Sequence, residues 1–156
     1  MFKSVAIKLL NIYKHVLDIR INEHDFFNKN LIKNFNIDSL TALQLIVEIE
    51  KNFDLIIEDD ELAIIIIDSP FSFFNYYQRY ALKNIYENVL NIHINESEIV
   101  KEHLIEKMNI DHQNISIIIA EIEKCFKINI NHDINAADIV NLPLSFLNTF
   151  QEVSIV

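Results

Sequence analysis

The stretch Ile37-Asp38-Ser39-Leu40-Thr41-Ala42-Leu43-Gln44-Leu45-Ile46-Val47-Glu48-Ile49-Glu50-Lys51-Asn52-Phe53 reads as one amphipathic helix with its start signal attached. Asp38 is a favoured N-cap residue type, because its carboxylate can accept from the unpaired amide N–H groups of a first helical turn. Leu43, Ile46, Val47, Glu50 and Phe53 then follow at the spacing of one helix face, with Glu48, Lys51 and Asn52 on the polar side. On that spacing Leu43, Ile46, Val47 and Phe53 are expected in the core.

The flanks extend the helical reading. Upstream, Val5, Leu9, Ile12 and Val16 step by four, three and four residues, which predicts a first amphipathic helix. A polar loop, from Asn22 to about Asn36, separates it from Asp38. Downstream, Glu58-Asp59-Asp60-Glu61 leads into a short third helix or turn. The run Ile64–Ile67 has strand character, but no partner strand is evident, so it is read as a packed helix end or turn. Ser69-Pro70 opens the last helix, Phe71–Tyr80, with proline tolerated in a first turn.

The chain also repeats itself. Laid over itself in one constant register, Asn11-Ile12-Tyr13 falls on Asn84-Ile85-Tyr86, and Ile21-Asn22-Glu23 on Ile94-Asn95-Glu96. Asn36-Ile37-Asp38 falls on Asn109-Ile110-Asp111, Glu48-Ile49-Glu50-Lys51 on Glu121-Ile122-Glu123-Lys124, and Pro70 on Pro143. A period of this length, held without a gap, predicts two copies of one domain, 1–80 and 81–156. No glycine, proline or serine-rich stretch separates the copies. One continuous helix, about Phe71 to Asn91, is therefore expected to join them.

Composition removes whole classes of function. Lys and Arg number 13 against 23 Asp and Glu, a formal charge of −10, which disfavours nucleic acid and anionic membrane surfaces. Glycine is absent, so the phosphate-cradling loops, the dinucleotide fingerprint, the nucleophile elbow and the calcium-binding EF-hand loop are all missing. A lone cysteine, Cys125, gives neither an internal disulfide nor a multi-cysteine zinc site. No apolar run approaches the roughly 20 residues of a membrane span. Lys8 and Asn11 interrupt any signal-peptide pattern, so a cytoplasmic setting is expected. His15, His24, His93, His103 and His132 show no metal-ligand spacing, and no metal site is expected.

Taken alone, Ser39 is an ordinary helix-start serine. Its surroundings say more. Asp38-Ser39-Leu40 after a long first loop, Glu50-Lys51-Asn52-Phe53 closing the helix, and Ser69-Pro70 opening another together resemble the acyl and peptidyl carrier proteins. The resemblance spans the whole first unit. It implies an all-α fold of two tandem four-helix carrier-like bundles. It also implies that Ser39, flanked by Asp38 and Leu40, is esterified to 4′-phosphopantetheine taken from coenzyme A. The implied partners are a phosphopantetheinyl transferase and the acyl-loading and chain-modifying enzymes of a biosynthetic pathway, with Leu40 as a partly exposed partner contact. The implied role is a monomeric carrier of acyl or aminoacyl thioesters with no catalytic residue of its own. Phe35-Asn36 replaces a usual glycine, and Thr41, Gln44 and Lys51 stand where fatty-acid carriers are often acidic. These departures point to a specialised polyketide, nonribosomal peptide or fatty-acid-type pathway.

The second copy departs at the decisive position. His112 falls on Ser39, and an imidazole cannot form a phosphodiester. Gln113 replaces Leu40, and Ser116 falls on Leu43, a position expected in the core. The second copy is read as a degenerate carrier without an attachment serine. Two other readings stay open: a carrier-fold scaffold that is never modified, and an enzyme using His112 as a base.

Overall fold

The structure is a computed structural model, and it describes residues 2–28, 30–131 and 134–152. Every element among them is helical. Packing divides the chain into two compact units, Phe2–Tyr77 and a second that begins at Gln78.

In the first unit, α1 (Phe2–Leu17) lies against α4 (Ser39–Phe53), and α5 (Asp60–Asp68) lies against α4 and the short α3 (Leu31–Asn34). A one-turn helix, α2 (Glu23–Phe26), and the start of α6 (Pro70–Leu90) complete it. Leu9, Tyr13, Phe26, Leu31, Leu45, Ile49, Ile66 and Phe73 are fully buried together. Aromatic packing closes one end: the Phe53 ring sits 4.7 Å from Phe73 and 5.5 Å from Tyr77. Lys8 Nζ lies 4.6 Å from the centroid of the Phe53 ring and donates to the Asn52 carbonyl, which ties α1 to the end of α4.

The second unit contains the later part of α6, then α7 (Glu96–Ile99), α8 (Leu104–Lys107), α9 (His112–Phe126), α10 (Ala136–Asn141) and α11 (Pro143–Glu152). Here α10 packs on α8, α9 and α11. Its core includes Tyr86, Ile99, Leu104, Ile118, Ile122, Val140 and Leu147. The helix expected over about Phe71 to Asn91 is α6, and Pro70 begins it, as Pro143 begins α11. The Ile64–Ile67 run lies within α5, where Ile66 and Ile67 are buried.

The same internal bonds recur at matching positions of the two units. The Tyr13 hydroxyl donates to the Ile67 carbonyl at 2.5 Å, and the Tyr86 hydroxyl to the Val140 carbonyl at 2.7 Å. Burial pushes both phenols above their ordinary pKa, with the Asp68 carboxylate adding to the effect at Tyr13. Glu50 Oε1 accepts the Ile57 N–H at 2.7 Å, and Glu123 Oε1 the Ile130 N–H at 2.8 Å. Asp68 Oδ1 accepts from the Ile32 N–H, and Asn141 Oδ1 from the Ile105 N–H, both at 2.9 Å. That exchange of Asp for Asn works because either side chain offers the needed carbonyl-type oxygen.

Turns in a chain without glycine need other residues at positive φ. Among the described residues Asp18, Asn30, Asn36 and Asp54 take left-handed φ of 51–66°, and so do their counterparts in the second copy, Asn91, His103, Asn109 and Lys127. Asn and Asp tolerate this region best after glycine. Asn36 thus supplies the backbone that the missing glycine before Ile37-Asp38-Ser39 would otherwise give. The Ile37 N–H closes the turn by donating to the Ile32 carbonyl at 2.9 Å.

One expectation fails. Leu43 and Val47 are not core: they are 60% and 51% exposed. Ile46 and Phe53 are half-buried, and the side chains of α4 that are fully buried are Leu45 and Ile49. The helix is apolar on nearly every side, so its periodicity fits two phases. The docking of α1 and α5 selects the Leu45–Ile49 row. The core expectation at the Ser116 position falls for the same reason, and Ser116 is exposed.

Candidate functional site

The N-terminus of α4 is built by Asp38. Its φ of −83° and ψ of 174° hold it just outside the helix, and its carboxylate accepts the Thr41 N–H at 2.8 Å. Its own carbonyl accepts the Ala42 N–H at 2.8 Å, the first bond of the helix. The bond from the Thr41 backbone holds the Asp38 carboxyl below its usual pKa, with a smaller contribution from the Thr41 side chain. A depressed pKa means the cap stabilises the fold above the ordinary carboxylate range, and that this stabilisation is lost as pH falls through the folded-state value.

Ser39 is the first residue of α4 and is exposed. A group joined to its Oγ projects into solvent at the positive end of a fifteen-residue helix. The field there favours an anion such as a phosphodiester. Leu40, next in line, is 67% exposed, which agrees with an accessible contact. The three residues named from the sequence, Asp38, Ser39 and Leu40, therefore lie together at one helix end, one capping and two accessible.

The sequence reading missed an apolar surface running from this end. Leu40, Leu43 and Val47 form an exposed stripe on α4, and Ile56, Ile64 and Ile65 are exposed on and before α5. Exposed acids, Glu58, Asp59, Asp60 and Glu61, follow Ile56 in the chain. Leu43 and Val47 also form one wall of an open groove of about 410 Å³, shared with Gln44 and Glu48 of α4 and with His15 and Val16 of α1.

The equivalent place in the second unit has the same scaffold without this chemistry. Asp111 caps α9 by accepting the Asn114 N–H at 2.8 Å, and exposed His112 takes the place of Ser39. The Ser116 hydroxyl donates to the His112 carbonyl at 3.2 Å. Gln113, Ser116 and Ala120 stand for Leu40, Leu43 and Val47; Asn129, Ala137 and Asp138 stand for Ile56, Ile64 and Ile65. A signal for the missed surface was therefore present in the repeat. The buried α4 positions Leu45 and Ile49 stay apolar as Ile118 and Ile122, whereas four of these six exposed positions become polar and two shrink to alanine.

Among the described residues no group of three His, Cys, Asp or Glu could hold a metal ion, and no helix is long and apolar enough to cross a membrane. Cys125 is half-buried, and His132 lies outside the described residues.

No curated protein and no solved structure matches the chain. Residues 7–64, which include all of α4 and its cap, match the family model described as phosphopantetheine attachment site. Domains of that family bind 4′-phosphopantetheine covalently and present it to other enzymes, without being enzymes themselves. Residues 7–64, less than half of the chain, are thus similar to phosphopantetheine attachment domains.

Proposed function

We propose that this protein is a carrier loaded at Ser39, with one arm per chain, and that the unit beginning at Gln78 is a degenerate copy of the carrier domain in the first. The observation that carries the reading is the exposed Ser39 hydroxyl at the start of a capped helix within the segment similar to phosphopantetheine attachment domains. Loading joins Ser39 Oγ to the β-phosphorus of coenzyme A and breaks that phosphorus's bond to the bridging oxygen. It releases adenosine 3′,5′-bisphosphate and the hydroxyl proton, with the phosphopantetheinyl transferase supplying the catalytic groups. The attached group supplies a thiol that holds acyl or aminoacyl cargo as a thioester.

The chain's own residues do three things. Asp38 fixes the helix start, so Ser39 is presented in one orientation. The positive helix end accommodates the phosphodiester. The exposed isoleucines of α5, next in sequence to Glu58–Glu61, suit a partner whose apolar patch is rimmed by Lys and Arg. The charge there sets encounter rate and selectivity more than affinity. Tethering gives the cargo a high effective concentration at each partner. The modest acidity of α4 favours a specialised polyketide, nonribosomal peptide or fatty-acid-type pathway, in the cytoplasm, with the chain acting as a monomer.

Intact mass after incubation with coenzyme A and a broad-specificity phosphopantetheinyl transferase tests the reading. Wild type is expected to gain one phosphopantetheine, Ser39→Ala none, and Ser116→Ala one. A folded wild-type protein that gains nothing would instead be an interaction scaffold.

A further inference from the structure

We propose that the groove between α1 and α4 is a resting site for the pantetheine arm, so that an idle arm lies along the protein. This rests on the loading of Ser39. Three observations support it.

Position comes first. Ser39, Leu43 and Val47 recur at every fourth position, so each is turned only about 40° from the last and stands about 6 Å further along the axis. An arm rooted at Ser39 and laid along α4 therefore reaches both groove-lining side chains in about 12 Å. Pantetheine in extended form is longer than that.

Chemistry comes second. The groove is mixed, with Val16, Leu43 and Val47 apolar and His15, Gln44 and Glu48 polar. Pantetheine is mixed in the same way: a gem-dimethyl group, one hydroxyl and two amides. A plain acyl chain would leave the polar half of this lining without partners. Gln44 offers both a donor and an acceptor to an amide, and Glu48 an acceptor. The exposed face of Leu43 and Val47 gains from being covered by the dimethyl group. At about 410 Å³ the groove has room for the arm.

The third observation comes from the second unit. The same repeat register that exchanges Ser39 for His112 also exchanges Leu43, Gln44 and Val47 for Ser116, Ile117 and Ala120. Leu43, Gln44 and Val47 are lost together with the serine, while Val16 and Glu48 are kept as Val89 and Glu121. Glu50 and Asp38, which serve the fold, are kept as Glu123 and Asp111.

The test is isotope-filtered NMR on the full chain, labelled with ¹³C and ¹⁵N and loaded with an unlabelled arm from coenzyme A, without any partner enzyme present. Loading is checked first by intact mass. The expected result is a set of cross-peaks from the gem-dimethyl protons to the Leu43, Val47 and Val16 methyls, with shift changes reaching His15. The double variant Leu43→Ser/Val47→Ala brings in exposed residues that the second unit already tolerates, and those cross-peaks are expected to disappear from it. Loaded protein whose shift changes stop at the first turn of α4, with arm protons at their free coenzyme A positions, would overturn the resting site and leave the carrier reading intact. Failure to gain mass would overturn the carrier reading and the resting site with it.

Discussion

Helices α4 and α9 share a length, a cap and a core row, yet they differ in what they show to solvent. Each spans fifteen residues, starts after an aspartate that accepts an N–H at 2.8 Å, and ends on a left-handed residue. Leu45 and Ile49 of α4 are buried, and so are Ile118 and Ile122 of α9. The charge of the chain divides evenly between its halves, so net charge does not separate them either. The differences that matter most at the surface are Ser39 and the large apolar side chains Leu40, Leu43 and Val47, which do not serve the core; Gln44 differs as well, with exposed Ile117 in its place. Packing and capping hold the helix. The exposed Leu40, Leu43 and Val47 are not needed for that, because α9 folds with Gln, Ser and Ala in their place.

Converting one helix into the other is the strongest way to break this comparison. His112→Ser alone is expected to leave the second unit unloaded. Adding Gln113→Leu is expected to produce a second mass increment of phosphopantetheine. If the single change sufficed, the apolar residue after the serine would have no part in loading.

Tyrosine truncation sharpens the shared side of the comparison. Tyr13→Phe and Tyr86→Phe each remove the donor to a buried carbonyl, and each is expected to cost about 1–3 kcal/mol in chemical denaturation. Equal losses would mean that the two cores are held alike. A much smaller loss at Tyr86 would mean that the second core has relaxed along with its surface. A smaller effect, of opposite sign, is expected at the left-handed helix ends. Lys127→Gly should raise stability by about 1 kcal/mol, and Asp54→Gly by less, because aspartate already tolerates this backbone. The smallest belongs to Asp68→Asn, expected within about 0.5 kcal/mol of wild type, since Asn141 does the same work in the other unit.

The frame of the fold was legible where a local signal coincided with a physical need. The Asp38 cap, the Pro70 start, the long helix Pro70–Leu90 and the helical state of Ile64–Ile67 could all be read from residues a few positions apart. The phase of α4 could not. With Leu40, Leu43, Leu45, Ile46, Val47 and Ile49 in succession, amphipathicity cannot say which row faces inward, and only the neighbours that α4 packs against decide it. The place of Ser39 at a helix start was legible because the aspartate before it is a capping residue by chemical type. The groove was not, because two of its six lining residues, His15 and Val16, come from α1, far upstream of Gln44 in the chain.

A surface of bare leucines and valines has a cost in solution. Side chains as exposed as Leu40, Leu43 and Val47 attract their like on other molecules. What opposes that attraction is mutual repulsion at a charge of −10. Repulsion of this kind is screened within about 8 Å at physiological salt, whereas the attraction between apolar groups is not. The protein should therefore be most soluble in dilute buffer and should self-associate as salt is added. Light scattering across a salt series should show this trend weakened in Leu43→Ser/Val47→Ala.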